Sequence, residues 1–238
     1  MHTYAIGGTK SNIRATVTTI IFVISVIIST LINGGFDLLA GQFPKAFDGI
    51  NSFLNNWSFL DFSLGNISAF LIFGLLSHLF NSKVWRIPFV YKLLEVPDFT
   101  GTWEGELNSS YNDSGTYKIK MVIEQSWNSI SIRSYFENSD SGSDSAFIHP
   151  EYHLGKMLKF TYANTAKKTN WEQSEHRGQN ELFLEDYDTP QKKYMTLRGT
   201  YFNNRGKTGN KGTIEMKRVS TKQIRVAEPS SDIPQEEA

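Results

Sequence analysis

Tyrosine and asparagine recur at alternate positions in the C-terminal half of the chain. In the run 158–164, Tyr162 and Asn164 share one face of an extended segment with Leu158 and Phe160. Tyrosine rings can stack on nucleobases, and asparagine carboxamides can hydrogen-bond to base edges. Such a mixture of apolar walls and a few polar groups is typical of a small-ligand site.

The predicted strand order collects these side chains at one end of a sheet. If successive strands run up and down, the candidate ligand-binding residues far from the first strand's start are Tyr117, Asn138, Tyr162, Asn164, Asn180 and Tyr201. Arg177 and the loop 203–211 add positive charge there, and Arg, Lys and exposed backbone amides can hold a phosphate. Trp103, near the apolar base, completes the candidate set. The alternative is an ordinary barrel mouth with solvated tyrosines and asparagines.

Catalytic and metal-binding patterns are missing from the sequence. It has no cysteine and no nucleophile elbow, phosphate-binding P-loop or dinucleotide-binding glycine fingerprint. His149 and His153 would lie about 13 Å apart on a strand, too far to share an ion. We therefore expect no catalytic residues, no metal site and no cofactor, and the protein is not expected to be an enzyme.

Eight runs with strand character follow residue 98, separated by turn-like stretches such as 112–115, 139–144 and 203–212. No helical pattern interrupts them, and short strands at this spacing predict an all-β sandwich or barrel. An eight-stranded barrel has no edge strands and encloses room for one small ligand. We predict a small eight-stranded up-and-down β-barrel over 98–219, with strands at 101–107, 116–125, 130–138, 145–152, 158–164, 176–185, 194–202 and 212–219.

Two uncharged apolar runs precede the barrel and predict a membrane protein with an N-terminal transmembrane hairpin. The first helix is placed at 15–36 and the second at 59–80, and about 20 apolar residues suffice to cross a bilayer. The alternative for the first run is a cleaved signal peptide. For the second run it is a buried amphipathic helix, since polar residues interrupt it.

Basic residues in the flanks orient this hairpin. Lys10 and Arg14 precede the first helix, and Lys83, Arg86 and Lys92 follow the second. The positive-inside rule then makes both termini cytoplasmic. The plan is a cytoplasmic N-terminus (1–14), a periplasmic loop (37–58), a connector (81–97), the cytoplasmic barrel and a disordered tail (220–238).

Partners follow from charge and from small residues in the helices. The 24 basic and 24 acidic residues cancel, and without a basic stripe long nucleic acid is not an expected partner. Ser25, Ser29 and Asn33 recur at helical spacing, which permits close helix contact in lipid. This indicates either self-association into a homo-oligomer or packing of the two helices within one chain.

The whole plan resembles one known family. Two N-terminal transmembrane helices, a connector and a small β-barrel that opens with Asp-Phe-Thr-Gly-Thr-Trp-Glu-Gly at 98–105 are similar to the two-transmembrane, β-strand-rich effectors of bacterial CBASS anti-phage systems. The resemblance covers roughly 13–219. Only the Gly-x-Trp strand is carried over as a family position.

The resemblance implies a function. A partner cyclic-oligonucleotide synthase would make a cyclic nucleotide second messenger on infection. That signal would bind in the barrel, the hairpins would oligomerise in the bacterial inner membrane, and disruption of the lipid bilayer would kill the cell. The alternative is a membrane-tethered barrel that carries a lipid or another small molecule, or a scaffold, without gating.

Overall fold

The chain is divided into a β-sheet unit and a helical unit. The computed structural model describes residues 1–45, 48, 68–110, 115–153, 155–166, 176–189, 192–205 and 209–221, with only the backbone at 166, 186–189 and 192–194. The sheet unit comprises residues 1–11 together with the chain from Glu95 onward. The helical unit comprises residues 12–94. The predicted periplasmic loop lies largely outside the described residues, and so does the predicted tail beyond residue 221.

Among the described residues of the helical unit, one helix is long enough to cross a membrane. Helix α1 spans Ile13–Gln42, 30 residues, and continues past residue 36, where the prediction ended it. The residues after Asp37, Leu38 to Ala40, are strong helix formers, so one charge does not end the helix. Its exposed apolar side chains include Ile20, Val23 and Leu31. One strongly apolar span is therefore present near the N-terminus.

The second described apolar helix is short. Helix α2 spans Ala69–Ser82, 14 residues, so this part is about 21 Å long against a hydrocarbon core of about 30 Å. Residues 59–67 of the predicted second helix lie outside the described residues. Helix α2 packs on α1, with the Phe22 ring 6.3 Å from the Phe70 ring and 5.9 Å from the Phe73 ring. The connector holds a third helix, α3, at Pro88–Leu94.

Nine strands are described in the sheet unit. They are β1 His2–Ile6, β2 Gly101–Ser109, β3 Thr116–Gln125, β4 Ser129–Tyr135, β5 Ser139–Tyr152, β6 Gly155–Ala166, β7 His176–Thr189, β8 Lys192–Asn203 and β9 Asn210–Ser220. From β2 to β9, each strand pairs antiparallel with the next, and β9 pairs with β2, which closes the barrel. The up-and-down prediction is confirmed in this strand order.

Strand β1 is the unpredicted element of this unit. It pairs with the start of β4 at Ser129 and Ile130, and runs parallel to β5 from Ala146 to Ile148. Strands β4 and β5 pair directly only at their other ends, so β1 fills the gap between them near the base. The N-terminal segment is therefore part of the barrel domain.

One predicted turn is wrong. Residues 139–144 belong to β5, because the turn from β4 is tight, with the Phe136 N–H donating to the Ser139 carbonyl at 2.9 Å. The cluster of Ser, Asp and Gly in this stretch has the composition of a loop. In the barrel these residues pair with β6 instead, from Ser139 opposite Ala166 onward. The predicted turn-like stretch 139–144 is therefore the first part of a strand.

Alternation along the strands separates an apolar base from a polar mouth. The base, where β2 begins and β9 ends, is filled by fully buried side chains. They are Trp103, Met121, Ile123, Ile132, Ile148, Leu158, Leu182, Leu197 and Ile214. Toward the other end the inward positions become polar, which opens space for a ligand.

Candidate ligand-binding cavity

A cavity of about 870 Å³ occupies the mouth half of the barrel interior. It lies where β2, β4, β6 and β8 end and where β3, β5, β7 and β9 begin. Pockets for small ligands typically measure about 300–1,000 Å³. The cavity is therefore large enough for a ligand of dinucleotide size.

Six of the eight predicted site residues line this cavity. They are Tyr117, Asn138, Tyr162, Asn164, Asn180 and Tyr201. Trp103 does not line it, because its ring is fully buried in the base. Arg177 does not line it either, since it faces outward between His176 and Gly178 and is exposed. The structure thus gathers the tyrosines and asparagines and leaves these two residues apart.

Trp103 organises the base below the cavity. Its indole N–H donates to the Phe99 carbonyl at 3.0 Å, and the Arg218 guanidinium lies 5.1 Å from the ring centroid. The same guanidinium donates to the carbonyl oxygens of Asp98 and Thr100. A cation over an indole face is favourable when both are partly removed from water. Trp103 therefore acts as a structural plug.

Two of the cavity tyrosines, Tyr162 and Tyr201, are buried in the barrel interior. The Tyr201 hydroxyl donates to Ser109 Oγ at 2.5 Å across the barrel wall. Burial raises the pKa of Tyr201, although this hydrogen bond acts in the opposite direction. Burial also raises the pKa of Tyr162 to about 12, against a smaller opposing effect of its hydrogen bond with the Asn203 side chain. Both phenols are therefore neutral at physiological pH.

The two interior asparagines differ in their bonding. Asn164 Nδ2 donates to Ser139 Oγ at 3.2 Å, which fixes one end of its carboxamide. Asn180 is 5% exposed and lines the cavity. Its carboxamide atoms are not among the fully buried polar atoms that lack a partner in the described part of the chain, so the group opens onto the cavity, where water or a ligand can bond to it.

The described basic and acidic side chains of the cavity stand at its rim. Lys118, His176 and Arg205 line it together with one acidic residue, Glu137. The Arg205 backbone N–H donates to Asn203 Oδ1 at 3.1 Å, which fixes the start of the loop after β8. Arg205 belongs to the predicted basic loop, whereas Lys207 lies outside the described residues. The rim can therefore hold an anion above a neutral interior.

The sequence analysis missed a set of cavity hydroxyls. They are Ser109, Ser134, Ser139 and Ser141. The alternation that selected Tyr117 also turns Ser134 inward, but serine has no marker that separates it from surface serines. The other two, on β5, were hidden by the wrong turn at 139–144.

The arrangement is suited to binding a ligand. Neutral hydroxyls, carboxamides and phenol rings line the interior, and the basic groups stand at its rim. Rings and amides suit the bases of a nucleotide, and rim cations suit its phosphates.

The comparisons with known proteins agree with this geometry. Residues 94–218, more than half of the chain, match the family described as Cap15, cyclic dinucleotide receptor domain. The chain is also 28% identical to CD-NTase-associated protein 15 of Yersinia aleksiciae over 153 residues, which are 64% of this chain and 70% of that protein. The family match covers β2 to β8 and most of β9, the strands that build the cavity.

Proposed function

The chain belongs to the family of the Cap15 cyclic dinucleotide receptor domain, and on this premise we propose that its cavity binds a cyclic dinucleotide and controls a membrane effector. The single observation that carries the proposal is the cavity of about 870 Å³, with neutral aromatic and amide groups inside and cations at its rim. A lipid carrier would need an apolar interior up to the mouth. The buried Asn164, Asn180 and Ser134 count against that alternative.

The chain path supports a two-crossing membrane topology. Residues 1–11 and the chain from Glu95 belong to one domain, so the chain leaves this domain before α1 and returns after α3. If α1 crosses the bilayer, the chain must cross again to return. Helix α2, which is apolar, continues the predicted second span 59–80. Both termini therefore lie on one side, which the basic flanks make the cytoplasm of the bacterial inner membrane.

Self-association of the hairpins is the proposed output. Ser25 and Ser29 are already buried in the single chain, which favours their use within one hairpin. The exposed apolar side chains of α1 and α2, such as Leu31 and Phe70, remain for lipid or for other copies. A ligand promotes association only if it binds the assembled state more tightly than the single chain. The cyclic nucleotide made by a CD-NTase partner would act in this way, and disruption of the bilayer would follow.

The proposal is tested by thermal unfolding of the full chain in nanodiscs against cyclic di-AMP, cyclic di-GMP and mixed cyclic dinucleotides. The full chain is needed because β1 belongs to the barrel. A ligand at 100 times its Kd adds roughly 2.7 kcal/mol to the free energy of unfolding, which raises Tm by several degrees. We expect such a shift with at least one compound and none with AMP. A folded protein with an unchanged Tm across the whole panel would contradict the proposal.

A further inference from the structure

Two cavity tyrosines each lie over a glycine on the neighbouring strand. Tyr162 is the cross-strand partner of Gly178, and Tyr201 is the partner of Gly212. A Cβ added to Gly178 would lie 2.5 Å from Tyr162 Cζ, and one added to Gly212 would lie 2.7 Å from Tyr201 Cε1. Each ring thus covers its glycine in the way that aromatic side chains rescue strand glycines. A ring that lies along the wall turns its other side toward the cavity.

The hydroxyls of these rings are already engaged in the wall. Tyr201 donates to Ser109 Oγ, and the Asn203 side chain lies close enough to the Tyr162 hydroxyl to act on the pKa of that phenol. The glycines and these neighbouring side chains hold both rings in place, so a ligand meets preorganised rings. Preorganised groups lose less conformational entropy on binding.

Asn180 is the polar group next to these rings. On β8, Asn180 has Tyr201 as its cross-strand partner. On β6, Tyr162 pairs with Gly178, the next inward-facing residue of β7 toward the mouth. Asn180 is more than nine-tenths buried and lines the cavity, and its carboxamide opens onto the cavity, since it is not among the described buried polar atoms without a partner. It offers adjacent donor and acceptor groups, the pattern that pairs with a base edge.

We propose that Asn180 reads the edge of one ligand base, and that Tyr162 and Tyr201 are the surfaces on which the ligand bases stack. The inference rests on the proposed function and assigns roles within that site. The cations Lys118 and Arg205 stand at the rim, so the phosphates stay near the mouth while a base enters. A phosphate deep in the cavity would meet no cation among the described lining residues. Asn180 is therefore the residue that determines base specificity, and the tyrosines supply affinity for any base.

The test is calorimetric titration of the full chain with cyclic di-AMP, cyclic di-GMP and cyclic UMP–AMP. Asn180→Leu is expected to raise the Kd of the tightest-binding probe by about tenfold or more and to change the ratio of affinities between probes. Tyr201→Leu is expected to raise the Kd of every probe by about tenfold. Tyr201→Phe keeps the ring, so its Kd values should stay within about threefold of the wild-type values. Arg205→Ala is expected to weaken all probes alike, because phosphates carry no base identity.

Gln179→Leu is the matched control, since this carboxamide is on the same strand and bonds outward to Glu181. Thermal melting checks the folding of each variant, and Asn180→Asp replaces Asn180→Leu if the latter unfolds. The inference is overturned if the Asn180 variant binds the probes as tightly as the wild type, or if its affinity falls by the same factor for every probe. It is also overturned if Tyr201→Leu binds as tightly as the wild type. If the wild type binds no probe, the proposed function itself fails.

Discussion

Tyr162 links the chemistry of the cavity to the stability of the barrel. The pKa of this buried phenol is about 12, above its ordinary 10.0. Because the folded pKa is raised, the neutral ring stabilises the fold fully below pH 10, and this contribution is lost as pH rises from 10 toward 12. The phenol also remains un-ionised at any pH at which a cyclic nucleotide would be bound in a cell.

Replacement of Tyr162 by Phe should remove this alkaline sensitivity. The free energy of unfolding of the wild type is expected to fall more steeply between pH 10 and 12 than that of Tyr162→Phe, while the two change in parallel between pH 7 and 9. Urea unfolding of the full chain at a series of pH values measures both slopes. Equal slopes above pH 10 would contradict the assignment, and Tyr152→Phe, on the outer wall, is the control.

Individual site residues were predictable where alternation and chemistry agreed. Tyr162, Asn164 and Asn180 were placed by strand parity alone and do line the cavity. Arg177 was selected for its charge although its parity points outward, and it is exposed. The pleat of the strand decides which face a side chain points to, whatever its charge. The opening of the Asn180 carboxamide onto the cavity depends on three-dimensional packing and has no signal in the sequence.

Strand β1 and the connector to β2 meet at one buried side chain. Gln125 is 4% exposed and lies at the base end of β3. Its Oε1 accepts from the Phe99 N–H at 2.9 Å, and its Nε2 donates to the Pro97 carbonyl at 3.0 Å and to the Tyr4 hydroxyl at 3.4 Å. This one carboxamide therefore joins the two segments through which the sheet unit continues into the helical unit.

Gln125→Leu should destabilise the barrel without touching the cavity. It would leave the buried Phe99 N–H and Pro97 carbonyl without partners, at a cost of about 1–3 kcal/mol each. We expect Tm of the full chain to fall by several degrees, while the bound cyclic dinucleotide still raises Tm by the same amount as in the wild type. Gln179→Leu, an outward carboxamide, should leave Tm unchanged. A Gln125→Leu variant as stable as the wild type would show that this hydrogen-bond cluster is unimportant.

Elements with local patterns were predictable, and those that depend on distant partners were not. The bounds of β3 at Thr116–Gln125 coincide with the prediction, because apolar residues alternate along its whole length. Strand β1 has only five residues, and its partners at 129–148 are far along the chain. No local signal marks it as a strand. The prediction of a turn at 139–144 was wrong because this stretch has the composition of a turn but pairs with β6.

The proposed membrane topology of the whole molecule rests on β1. The sheet unit holds both residues 1–11 and the chain from Glu95, and Lys10 Nζ lies 3.0 Å from Glu95 Oε2 where these segments meet. If the intervening helical segment enters a bilayer, both of its ends open on the same side. The proposed hairpin satisfies this condition with two crossings.

Single-cysteine labelling tests this topology cleanly, because the natural chain has no cysteine. Cysteines introduced at Thr3 and Thr221, both exposed, are expected to react with an impermeant maleimide only in inside-out membrane vesicles. A cysteine at Ser52, in the predicted periplasmic loop, should react only in right-side-out vesicles. Labelling of residues 3 and 221 from opposite sides would contradict an even number of crossings.

The most direct measurement is dye release from liposomes that contain the full chain, on addition of the cyclic dinucleotide that raises its Tm. The matched variant is Ser134→Phe, because Ser134 is 3% exposed and faces the cavity, so a phenyl ring there fills ligand space without new surface. We predict rapid release from wild-type liposomes, none with AMP and none from the Ser134→Phe variant, which should remain folded. Ligand binding by the wild type without dye release, or equal ligand-dependent release from Ser134→Phe, would contradict control of the membrane through this cavity.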